Sequence, residues 1–172
     1  MIFQRPEKDE YAEFYANYVS LAEETDVVSA LQNQANDLRK LLAGISAEKE
    51  NFRYAEDKWS VKELLGHIID GERVFSYRAW RISRGDQTPL ATFEENSYVA
   101  GSNFNCSGLA DLIEEFSLLR AANVLLFKNL TEEMWLRRGT ASDATVSVRA
   151  LAFIMVGHVR HHQNILRTRY LV

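Results

Sequence analysis

The chain has 172 residues, 47% of them hydrophobic, which suits one domain over residues 1–172 with a sizeable core. Its 20 basic and 24 acidic side chains leave a formal net charge of −4, so it carries no electrostatic footprint for nucleic acid. A single cysteine, Cys106, excludes an internal disulfide and fits a reducing compartment, and no run of about 18 uncharged apolar residues is available to span a membrane.

The first ten residues lack a basic-then-apolar signal, and the expectation is a soluble cytoplasmic protein. With only two prolines and eight glycines, and little β-branched alternation, helix is the expected state of every long segment. Residues 10–21 place Tyr11, Phe14, Tyr15 and Tyr18 at spacings of three or four, as a short packing helix would. Asp26 caps a second helix running through Val27, Leu31, Leu38 and Leu41 to a stop near Gly44. The run Ser60-Val61-Lys62-Glu63 is a capping box, and the helix it opens continues through Leu64, Leu65, Ile68, Val74, Phe75 and Ile82 towards Gly85.

Residues 85–105 read as a long crossover loop with a helical turn at 93–96, and loops of that length are often functional. Ser107 is expected to cap a helix over 109–127, facing inward at Leu112, Ile113, Phe116, Leu119 and Val124. A further turn at 131–135 and a polar connector at 137–145 lead to Ser147, the expected cap of the last helix. Four long helices result. The crossover permits parallel neighbours, so the bundle need not alternate up and down.

The last helix carries three of the four histidines. At 3.6 residues per turn, His158 and His162 lie about 20° either side of the centre of the stripe formed by Leu151, Ile154, Met155, Ile165 and Leu166, and His161 lies about 80° away. A buried imidazole needs a hydrogen bond or a ligand. Two of them one turn apart can hold a metal ion, or can be core histidines satisfied by neighbouring side chains. The fourth, His67, sits roughly 80–100° from the centre of its helix's apolar face, which makes it a boundary residue by periodicity. Glu63 and Asp70 are near enough along that helix to orient its ring, or to be plain solvated charges.

The run Lys58-Trp59-Ser60-Val61-Lys62-Glu63-Leu64-Leu65-Gly66-His67, followed by Asp70-Gly71-Glu72-Arg73, Tyr77-Arg78 and Arg84-Gly85-Asp86, resembles the DinB-like family, which includes the YfiT-type metal-dependent hydrolases. Glu115-Phe116 with Arg120, and Gly157-His158-Val159-Arg160-His161-His162 before Ile165-Leu166, resemble its later segments. The resemblance implies an all-α four-helix bundle of up-up-down-down type and a divalent metal centre, zinc or nickel, whose ligands by motif position are His67, His158 and His162. It also implies frequent homodimers and a superfamily that contains thiol-dependent S-transferases and isomerases.

Three neutral imidazoles leave a divalent ion its charge and an open position, which supports hydrolysis or the use of a low-molecular-weight thiol. A set without carboxylates does not match an oxidative di-iron centre. No further catalytic residue stands out. Arg78, on the His67 flank, is a candidate to receive an anionic small-molecule substrate, and Tyr98 a candidate to close over the metal from the crossover loop. Two classes of function stay open: a metal-dependent hydrolase or thiol S-transferase, and a non-catalytic stress-related binding module with a structural or vestigial ion.

Overall fold

A computed structural model describes residues 4–171. Two 3₁₀ turns, Lys8–Glu10 and Glu13–Tyr15, lead into α1 (Ala16–Leu21), so the aromatic run near the N-terminus is helical in pieces, not one helix. The four long helices are α2 (Val27–Leu42), α3 (Val61–Ser83), α5 (Leu109–Lys128) and α7 (Val148–Ile165). Short helices α4 (Glu95–Ala100) and α6 (Glu132–Leu136) lie in the connections, and α7 continues into a wider π-type turn, Leu166–Tyr170.

Local chemistry sets most of these starts. Asp26 accepts from the Ser29 amide, Ser60 and Glu63 form the reciprocal box, and the Ser147 hydroxyl accepts from the Ala150 amide at 2.9 Å. Ser107 does not cap α5. Gly108 holds the cap position without a side chain, and the Ser107 carbonyl instead accepts from Lys62 Nζ at 2.9 Å. The segment expected to be a polar connector is a hairpin, β1 (Arg138–Ala141) against β2 (Ala144–Ser147), with Arg138 opposite Ser147. Its two turn residues, Ser142 and Asp143, both have positive φ, 51° and 59°, as a type I′ turn requires. Leu90 in the crossover bridges to Ala141, tying the loop to this hairpin.

Helices α3 and α2 each pack against both α5 and α7. Two apolar clusters fill the bundle, one at each end. Leu31, Phe75, Ile82, Phe127, Leu151 and Phe153 belong to the first, and Leu38, Leu65, Ile69, Leu112, Phe116 and Leu166 to the second. The order of these residues along each helix gives the directions. Helices α2 and α7 run from the first cluster to the second, and α3 and α5 from the second to the first. The bundle is therefore up-down-down-up, and the up-up-down-down order implied by the resemblance is corrected in that detail. Two neighbouring pairs are parallel, α3 with α5, which the long crossover joins, and α2 with α7, whereas residues 43–60 return the chain at the end where α2 stops.

Between the clusters lies a buried polar girdle. Glu72 of α3 takes both Arg120 Nε and Nη2 at 2.8 Å and also accepts from Asn123. Arg120 Nη1 donates to Gln34 Oε1 of α2 at 2.8 Å, and Gln34 Nε2 donates to the Val156 carbonyl of α7 at 2.8 Å. All four long helices are joined in one plane. Removing one member of a buried ion pair strands the other, at a cost of about 3–5 kcal/mol, whereas replacing both by apolar groups is often near neutral. Arg120→Ala should therefore lower unfolding stability in urea by that amount, and Glu72→Leu with Arg120→Met should recover most of it.

Candidate metal centre

Near its N-terminus α3 carries His67, and in its second half α7 carries His158 and His162. Because α3 and α7 are antiparallel neighbours, these segments lie side by side. The three imidazoles each offer a nitrogen, and those atoms all lie within 4.8 Å of one another. His67 Nε2 and His158 Nε2 stand 2.9 Å apart. All three rings are buried, with exposures of 6%, 3% and 6%.

Two glycines allow the approach. A Cβ built at Gly71 would come within 2.7 Å of the His158 ring, so α3 presents a bare backbone where that imidazole rests. At Gly157 a Cβ would collide with the Tyr18 carbonyl, so α1 lies directly on α7 and brings the Tyr18 ring to 5.4 Å from His158. Periodicity put His67 at a boundary. It is nonetheless buried, because partners from outside its helix cover it. The Trp59 ring lies at 4.7 Å, and Phe93 of the crossover stacks at 6.3 Å.

Burial pushes every one of these histidines towards its neutral form. His67 is lowered from 6.5 to about 4 by desolvation and then by His161. His158 and His162 are lowered well below 6.5, first by desolvation and then by neighbouring histidines, His162 first for His158 and His67 first for His162. Neutral imidazole is the form that binds a metal. The hydrogen-bond inventory agrees: His67 Nδ1 and both nitrogens of His162 are buried without a partner among the described residues. Leaving such atoms unpaired costs free energy, and a cation among them removes most of that cost. The donor set therefore fits a divalent ion. Neither carboxylate proposed to orient His67 does so. Glu63 is held by the Ser60 amide, Arg53 and Asn105, and Asp70 faces Arg73 at 3.8 Å.

The histidines form the floor of a cavity of about 550 Å³, walled by Tyr15, Tyr18, Trp59, Phe75, Phe93 and Arg78. Arg78 is therefore in the cavity with the histidines, buried, while His161 lines the same space outside the three-residue group. Tyr98 is 54% exposed and does not line the cavity. Its ring packs at 4.7 Å against Phe93, which in turn stacks on His67. Trp59, Glu95 and Ser142 also line the cavity and were not singled out from the sequence. Trp59 precedes the capping box directly, which was the available signal. Ser142 depends on a turn that the sequence pattern did not reveal.

The solved structure of YfiT from Bacillus subtilis, described as a probable metal-dependent hydrolase with an unusual four-helix bundle topology, superposes with a TM-score of 0.75. The alignment covers 95% of this chain and 92% of that one at 14% identity. A mycothiol-dependent maleylpyruvate isomerase matches with a TM-score of 0.67 and 13% identity, over 80% of this chain and 58% of that larger one. At such identities the likeness is one of fold. No curated protein matches in sequence. The sequence pattern of the DinB superfamily, however, matches residues 30–166 and so takes in all three histidines. The chain belongs to the DinB superfamily.

Proposed function

We propose that this chain is a metal-dependent enzyme acting on a small molecule, with His67, His158 and His162 holding one divalent ion, zinc or nickel. The observation that carries the reading is the convergence of three buried, neutral imidazoles, two of them with unpaired nitrogens, on the floor of an aromatic-walled cavity. When bound, such an ion keeps its positive charge among neutral ligands and lowers the pKa of a water or thiol that it holds. The reaction class is then hydrolysis, or transfer of a low-molecular-weight thiol to an electrophile. The descriptions of the two structural relatives, one a probable metal-dependent hydrolase and the other an isomerase that depends on the thiol mycothiol, support the choice of these classes.

The protein's own part is positioning and exclusion. Trp59 and Phe93 flank the His67 ring and keep bulk water from it, and Tyr98 buttresses Phe93 from the exposed side. Phe75 and Tyr18 pack edge-on to His158 and hold its plane. Substrate enters between α1, the crossover and the hairpin turn, which supply the remaining walls.

Protein purified without a histidine tag should take up one equivalent of zinc or nickel by elemental analysis. Chelation should abolish turnover on a panel of esters, amides and thiol–electrophile pairs while leaving helicity intact. A folded, metal-free and silent protein would instead favour a binding module.

His158→Ala and His162→Ala should each lose stoichiometric uptake with the circular dichroism spectrum unchanged, since four packed helices do not need the ion. His161→Ala should bind as the parent does, and a loss there would mean the ligand set is wrong.

The histidines also give the metal-free protein a pH dependence. Their proton affinity is depressed in the folded state, so the unfolded chain binds more protons below 6.5. Stability should be fully present above that value and decline as pH falls towards about 4, the value for His67. Urea midpoints measured across this window check it, and saturating metal should move the decline to lower pH.

A further inference from the structure

Arg78 is 3% exposed, yet among the described residues no carboxylate forms an ion pair with it. Its hydrogen-bond partners are all neutral. Nη1 donates to the Tyr15 hydroxyl at 3.2 Å, and Nη2 donates to the Ala91 carbonyl at 2.7 Å and to Ser142 Oγ at 3.0 Å. A guanidinium has five donors, so two remain. A neutral side chain could pin these three segments together without burying a charge. Burying an uncompensated cation is costly, and this one lines the same cavity as the histidines. Glu95, the carboxylate on the wall of that cavity, is exposed and solvent-screened.

From this we infer that Arg78 is the recognition site for an anionic group of the substrate, a carboxylate or similar oxyanion. The inference rests on the reading of the cavity as the substrate site. Helix geometry adds a length. Gly71, on which the His158 ring rests, and Arg78 are seven residues apart on one face of α3, two turns or about 10 Å along the axis. Between the two poles stand the rings of Phe75 and Tyr15, 6.0 Å apart. The substrate class is therefore a small molecule with an anionic terminus, an apolar or aromatic middle, and a reacting group at the end away from the charge.

The test uses 4-phenylbutyrate and its neutral isostere 4-phenylbutyramide, titrated calorimetrically into metal-free and zinc-loaded protein. The carboxylate should bind at least tenfold more tightly than the amide in both forms. In Arg78→Gln that preference should vanish while the amide's affinity is unchanged, and Arg78→Lys should keep part of it. Equal affinities in the parent, or a preference that survives Arg78→Gln, would overturn the assignment. A preference confined to zinc-loaded protein would place the carboxylate on the ion and overturn it equally. If Arg78→Gln does not fold, the parent comparison and Arg78→Lys still decide. The metal-free arm separates the outcomes: failure to take up zinc sinks the metal centre and leaves this result standing.

Discussion

Four helices that are greasy on their inner faces can slide by a turn at modest cost, because one aliphatic contact replaces another. The Glu72–Arg120–Gln34 girdle removes that freedom. Its members are buried, and each has partners in only one register. A slip would strand a charge in the interior, a penalty of several kcal/mol where an apolar slip costs far less. The girdle also reaches the candidate metal centre. Glu72 follows Gly71, the residue that receives the His158 ring, and Gln34 bonds to the Val156 carbonyl two residues before His158. Fixing α3 against α7 at this level is what lets His67 meet His158 and His162 on the next turns.

The girdle and the histidine cluster are coupled electrostatically as well. The Arg120 guanidinium adds to the forces that keep His158 from taking a proton, behind desolvation and the neighbouring histidines. A site of neutral donors is thus maintained from two directions, by dry surroundings and by a fixed positive charge behind the ring. That combination suits an incoming cation poorly until the imidazole lone pairs compensate it. Three ligands, not one or two, are what the arrangement needs to hold an ion.

Much of this was legible in the sequence, and the failures have identifiable causes. Helices α2, α3 and α7 announced themselves through caps and 3.6-residue periodicity, and α5 through periodicity alone, because these signals are local. The late histidine pair was readable for the same reason. Periodicity alone misplaced His67 at a boundary, where the motif match put it in the site, because the average over its helix weighs every packed side at once. Its cover, Trp59 and Phe93, comes from outside the helix. The hairpin was read as a connector because Ser142-Asp143 adopts a positive-φ turn without the glycine or asparagine that usually marks one. Helix direction is not encoded in periodicity at all. It follows from where each connection returns the chain, and those connections are the least regular parts of the molecule.

Two buried arginines with opposite surroundings separate scaffold from site. Arg120 is sealed among Glu72, Gln34 and the Leu31 carbonyl, with its charge matched and its donors pointed at protein. Arg78 has the same chemistry and similar burial, but only hydroxyls and a carbonyl for company. Its contacts run to a 3₁₀ turn, the crossover and a hairpin tip, the pieces added around the bundle and not the bundle itself. Those pieces wall the cavity, so whatever neutralises Arg78 must come from the space that they enclose. Bundle and girdle keep three imidazoles in register. The irregular additions, tied together by Arg78, wall the space above them.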